Sequence, residues 1–172
     1  MTEVVRALDA NSADLLAYLE RRLGVHDAPD VLSEVMTVAW RRAADLPADP
    51  EQARMWLFGI AKGALANARR GEVRRANLAD RLRAISFERA NVSAPADTGL
   101  TTRECIDALP AQLAEVIRLV HWEGFSLAEI AQLEQVSPST VRSRYARAKE
   151  LLREMLDESI ATVTPLRRAA VL

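Results

Sequence analysis

The sequence predicts an all-α protein: two small helical domains joined by a flexible linker. Three observations carry this. Apolar residues recur at helical spacing through most of the 172 residues, and no stretch alternates as a strand would. Capping residues and helix stops punctuate those repeats. One stretch, Ser86 to Leu100 (SFERANVSAPADTGL), lacks apolar periodicity and is rich in Ser, Asn, Pro, Asp and Gly, as a linker is. The expected division is a domain at 1–85, a linker at 86–100, a second domain at 101–160 and a frayed C-terminal tail at 161–172.

The elements follow in order. Leu15, Leu19 and Leu23 recur at i, i+4 and i+8, with Ser12 as N-cap and Gly24 as the stop. A second helix runs from about Pro29 to Ala44, and Leu46 to Pro50 is a loop set by two close prolines. A third begins near Glu51, with Trp56, Leu57, Ile60 and Ala64 on its core face. It reaches about Arg70, and the basic segment to Arg83 extends the helical reading. After the linker, Thr101 and Glu104 make a capping box, and helices occupy about Thr102 to Ala108 and Ala111 to Glu123, stopped by Gly124.

The segment Phe125 to Arg147 reads as a helix-turn-helix. Ser126 and Glu129 form an S-x-x-E box, with Phe125 and Ile130 as the hydrophobic staple. The first helix ends near Leu133, and Glu134 to Val136 is a turn. Ser137 is the next N-cap, with Pro138 at the first helical position, where its missing N–H costs nothing. In the second helix Val141, Tyr145, Ala148 and Leu152 share an inward face, and Arg142, Ser143, Ala146, Arg147 and Glu150 the opposite one. Arginine reads guanine O6 and N7 with two parallel hydrogen bonds, and the small residues between the arginines let the backbone approach the bases. Arg144 and Lys149 lie to the sides, where phosphate contact is expected. A solvated charged helix in a bundle would carry similar residues, but it would not need both caps and the short turn.

Charge distribution agrees. Lys62 to Arg83 holds seven basic and two acidic residues, and Ser137 to Arg153 five basic and one acidic, although the whole chain has a net charge of −1. Two basic patches on an otherwise acidic chain suggest two nucleic-acid contact zones. The lone Cys105 forms no internal disulfide and reads as a small buried apolar residue. His26 and His121 stand far apart, so no metal centre is expected, and no motif calls for a cofactor or for catalysis. The sequence shows no membrane-length apolar run and no signal-peptide core, which fits a cytoplasmic protein.

Three segments, APDVLSEVMTVAWRRAADLP, MWLFGIAKGALANARRGEVRR and the stretch from Ala108 to Leu152, together resemble the small extracytoplasmic-function group of sigma-70-type RNA polymerase sigma factors. APDVLSEVMTVAWRRAADLP (Ala28 to Pro47) resembles sigma region 2.2. MWLFGIAKGALANARRGEVRR (Met55 to Arg75) resembles regions 2.3 and 2.4, and Ala108 to Leu152 resembles region 4. The resemblance implies a non-enzymatic transcription initiation factor. Its partners would be core RNA polymerase, through the clamp helices and flap, promoter DNA and an anti-sigma factor. Polymerase would dock on Asp30, Ser33, Glu34, Thr37 and Arg41, which share one helix face. Ser33 and Met36 stand where the family commonly has glutamine and phenylalanine. The −35 element would be read by Ser139, Thr140, Arg142, Ser143, Arg144 and Arg147, and the −10 region by Phe58, Lys62, Asn67, Arg69, Arg70 and Arg74. In the family the loop before the third helix, here Leu46 to Arg54, helps hold a flipped −10 base. Phe58 is equally placed to pack against another helix, and Trp40 reads as core. Two other functions remain open at this level: a sigma-like module that sequesters an anti-sigma factor without touching DNA, and a stand-alone helix-turn-helix regulator.

Overall fold

The computed structural model describes residues 2–83 and 102–169, and all regular structure there is helical. The chain divides into two compact units, Met1–Asn91 and Val92–Leu172. The expected linker and the Thr101 cap lie outside the described residues.

The first unit packs α1 (Thr2–Leu23), α2 (Ala28–Arg41) and α3 (Pro50–Arg83), each against the other two. Leu15, Tyr18 and Leu19 of α1, Val35 and Ala39 of α2, and Leu57, Phe58 and Ala61 of α3 are fully buried or nearly so. The helix α1 starts ten residues before its expected cap. Ser12 lies inside it, its Oγ donating to the Asp9 carbonyl at 3.3 Å, and Asn11 Nδ2 donates to Ala7 at 2.8 Å. Short polar side chains mimic caps in a sequence but also bond back within a helix. Val4, only 2% exposed, extends the packed stripe to the N-terminal turns. The stop is as expected: Gly24 has φ +86° and its N–H bonds the Glu20 carbonyl at 2.8 Å.

The helix α2 ends at Arg41, and a 3₁₀ turn, Ala43–Asp45, takes up the residues expected to continue it. Asp49 then caps α3. Its Oδ1 accepts from the Gln52 N–H at 2.9 Å, and Pro50 occupies the first turn.

The second unit contains α4 (Thr102–Ala108), α5 (Ala111–His121), α6 (Leu127–Glu134) and α7 (Pro138–Ala169). Ile106, Leu109, Ala114, Ile117 and Ala148 form its core, with Tyr145, Leu151, Leu152 and Met155 packed against it. Cys105 is buried beside them in α4. An Arg118–Asp107 ion pair of 2.5 Å ties α5 to α4. The helix α5 stops at His121, two residues early: Trp122 makes the last regular bond, to the Arg118 carbonyl at 2.9 Å, and the Glu123 N–H departs from the pattern by reaching back to the same carbonyl at 3.4 Å. Gly124, at φ +70°, lets the Phe125 N–H reach Leu119 at 3.0 Å. The helix α7 is helical to Ala169, through the residues from Thr162 where an unravelled tail was expected. Among the described residues no helix is long and apolar enough to cross a membrane, and no group of His, Cys, Asp or Glu is placed to hold a metal ion.

Candidate nucleic-acid interface

The second unit builds its surface from local hydrogen bonds. Ser126 Oγ accepts from the Glu129 N–H at 3.3 Å, and the Ser126 N–H donates to Glu129 Oε2 at 2.8 Å, closing the capping box reciprocally. Phe125 and Ile130 are both buried, as a staple requires. Gln135 ends α6 in the left-handed region at φ 55°, so the Val136 N–H reaches back to the Ala131 carbonyl at 3.0 Å. Glycine usually fills such a position, and its absence hid this turn geometry from the sequence.

Ser137 opens α7. Its Oγ accepts from the Thr140 N–H at 3.1 Å and lies 2.8 Å from both the Ser139 and Thr140 hydroxyls. The predicted contact residues Ser139 and Thr140 are therefore held at the start of the helix by its own cap. Val141 and Ala148 are fully buried, and Tyr145 and Leu152 are half-buried. Arg142, Ser143, Ala146, Arg147 and Glu150 are exposed together on the other side. Arg144 is half-buried at the margin, and Lys149 Nζ sits 4.7 Å from the Tyr145 ring centroid. Two features escaped sequence reasoning. The Tyr145 hydroxyl lies 3.2 Å from His121 Nε2, tying α7 to α5. Arg147 Nη1 lies 3.1 Å from Glu150 Oε2 in an exposed ion pair. The second was available from the i,i+3 spacing of opposite charges; the first depends on a fold-level meeting of residues far apart in the chain.

The first unit requires a correction. Phe58, expected among the −10 contacts, is fully buried. Its ring meets that of Tyr18 edge to face at 5.3 Å, and the Arg54 guanidinium covers it at 4.8 Å. The expected face of α3 was rotated because this helix packs on both α1 and α2. The buried arc is accordingly wide, running from Ile60 and Ala64 through Leu57 and Ala61 to Phe58. Trp56 is only half-buried, with Arg42 5.8 Å from its ring centroid. At 100° per residue Trp56 shares its outward face with Gly63, Asn67, Arg70 and Arg74. Asn67, Arg69, Arg70 and Arg74 are exposed, Lys62 is half-buried, and the Asn67 side-chain oxygen accepts from Arg70. A cleft of about 250 Å³ lies beside the 46–53 segment, lined by Glu3, Arg6 and Asn11 of α1 and by Leu46, Pro47 and Pro50.

On α2, Asp30, Ser33, Glu34, Thr37 and Arg41 are all exposed. The Ser33 and Thr37 hydroxyls donate back to the Pro29 and Ser33 carbonyls at 3.0 and 2.9 Å. Trp40, expected in the core, is 47% exposed. It falls three residues after Thr37 and seven after Ser33, so it borders this polar face while Val31, Val35 and Ala39 turn inward.

The helix-turn-helix, with its outward arginines, lies within the match to the family model for Sigma-70, region 4, which covers residues 100–152. Over 160 residues the chain is 29% identical to the ECF RNA polymerase sigma factor SigL of Mycobacterium tuberculosis, spanning 90% of each protein. Along most of its length the chain is thus similar to extracytoplasmic-function sigma factors, and its helix-turn-helix unit to sigma-70 region 4. The chain is also 30% identical over 132 residues to SigM of the same organism, covering 76% of the chain and 64% of SigM. Its fold is similar to that of the sigma factor RpoE of Bartonella quintana, solved in complex with the anti-sigma factor NepR. The TM-score is 0.68 at 21% identity, over 91% of this chain and 98% of that one. Members of the family are transcription initiation factors, not enzymes.

Proposed function

We propose that this protein docks on core RNA polymerase in the cytoplasm and directs it to promoters by contacting DNA through both units. The observation that carries the proposal is the division of α7 into an inward apolar face, buried at Val141 and Ala148, and an exposed face bearing Arg142, Ser143, Ala146 and Arg147. In the major groove that face reads the −35 element, the two arginines taking guanines and the small residues allowing close approach. Ser139, Thr140, Arg144 and Lys149 supply backbone contacts around it.

The first unit handles the −10 region. Asn67, Arg70 and Arg74 on the outward face of α3, beside the half-exposed Trp56, offer cationic and stacking contacts to a separated strand. Lys62 and Arg69 lie to one side of them, and Phe58, being buried, only packs α3 against Tyr18. The cleft beside Leu46 and Pro47 receives an extruded base, and binding there offsets the cost of unstacking, about a few kcal/mol. Polymerase docks on Asp30, Ser33, Glu34, Thr37 and Arg41. The exposed Trp40 is the apolar anchor that such a face needs at its centre or edge. An anti-sigma factor would compete for these surfaces.

Run-off transcription with purified core polymerase tests this reading. Adding the protein should yield transcripts from defined start sites. Duplex binding with no promoter-specific transcript would favour a stand-alone regulator, and polymerase binding without either would favour a sequestering module.

A further inference from the structure

Glu150 sits on the face proposed to read DNA, where a carboxylate repels phosphates and can only accept from a base amino group, such as cytosine N4. Among the described residues Arg147 engages it, through a 3.1 Å contact from Nη1 to Oε2. Both side chains are more than half exposed, at 57% and 56%, so the pair faces solvent and no packing holds it. An exposed pair of this kind contributes little to stability. Its effect is on the arginine's orientation and charge.

We propose that Glu150 is a positioning and specificity residue for Arg147. The inference rests on the base-reading role of α7 and adds a device to it. A guanidinium carries five N–H donors in a rigid fork. With Nη1 held by Glu150, the edge formed by Nη2 and Nε is left for two parallel bonds to a guanine. The carboxylate also neutralises the charge that would draw Arg147 to any nearby phosphate. Phosphate contacts carry affinity for every sequence alike, whereas base contacts discriminate. Glu150 thus weakens binding to wrong sites while leaving Arg147 poised for the right one, which is specificity gained by penalising competitors.

The test uses the full chain and two duplexes: one selected from a random pool by the wild-type protein, and a scrambled duplex of the same composition. Glu150→Gln keeps the shape and removes the charge. It should tighten scrambled-duplex binding several-fold and lower the matched-to-scrambled affinity ratio about tenfold. It should also steepen the salt dependence on the scrambled duplex by about one unit of slope, the signature of one more phosphate contact. The thermal unfolding midpoint should not move, which a merely structural role would not allow for the same change in binding. In an Arg147→Ala background Glu150→Gln should change none of these quantities, since the effect passes through Arg147. An unchanged ratio overturns the proposal. So does an equal effect in the Arg147→Ala background, which would make Glu150 a general repulsive charge. If the wild type selects no preferred duplex, the base-reading role itself fails and takes this proposal with it; that outcome is distinct from a preferred duplex whose ratio Glu150→Gln leaves unmoved.

Discussion

The two helical units show how differently a surface helix can be specified. In the second, α7 meets its core along one narrow stripe, from Val141 through Tyr145 to Ala148, and everything opposite is exposed. Caps made within a few residues set where it starts. In the first, α3 lies against α1 and α2 over a wider buried arc that takes in Phe58. A helix buried along a narrow stripe, as α7 is against α4, α5 and α6, shows its outward face in its periodicity. A helix buried over a wide arc shows only where that arc is centred, and the centre depends on the partners.

The largest expected effect tests this contrast at Phe58. Phe58→Ala should destabilise the first unit by about 3–5 kcal/mol in urea unfolding, because it empties a core site against Tyr18. A loss below about 1 kcal/mol with impaired −10 binding would return Phe58 to the DNA face and erase the distinction between the helices. Next, Trp40→Ala should weaken core-polymerase binding by about 2 kcal/mol or more, the usual scale for an exposed aromatic anchor. Its unfolding free energy should change far less, since the ring is 47% exposed. An unchanged affinity would take Trp40 off the docking face.

On α7, Arg142→Ala should cost about 1–3 kcal/mol in −35 duplex binding and relax selectivity at one base pair, read by competition with single-base variants. Equal losses on every sequence would assign Arg142 to phosphate. The smallest effect concerns the turn that joins α6 to α7. Gln135→Gly should stabilise the second unit by roughly 0.5–1 kcal/mol, because a side chain in the left-handed region is strained and glycine is not. Destabilisation there would mean that the Gln135 side chain holds the turn.

These differences also explain what the sequence disclosed. The Ser126–Glu129 box, the Ser137 cap, the Gly24 stop and the two faces of α7 depend on residues a few positions apart, and the structure bears them out. The α2 residues Asp30, Ser33, Glu34, Thr37 and Arg41 are exposed on one face, as their spacing implied. The misreadings need distant partners to resolve. Ser12 looked like a cap because nothing nearby revealed that Val4 packs and carries α1 further. Trp40 looked like core by size, although its position relative to Ser33 and Thr37 already placed it at the polar edge. The cleft joining α1 to the Leu46–Pro50 loop brings together residues some forty positions apart, and no local pattern marks it.

The most direct measurement is a footprint of the polymerase assembled with this protein on a promoter it selects, combined with permanganate probing of unpaired thymines. The expected result is protection of a duplex −35 segment and an opened −10 segment in one complex. Arg142→Ala should weaken the upstream protection first, and Arg70→Ala with Arg74→Ala the downstream opening. A footprint confined to one segment, or one indifferent to all three substitutions, would contradict the assignment of one DNA-facing surface to each unit.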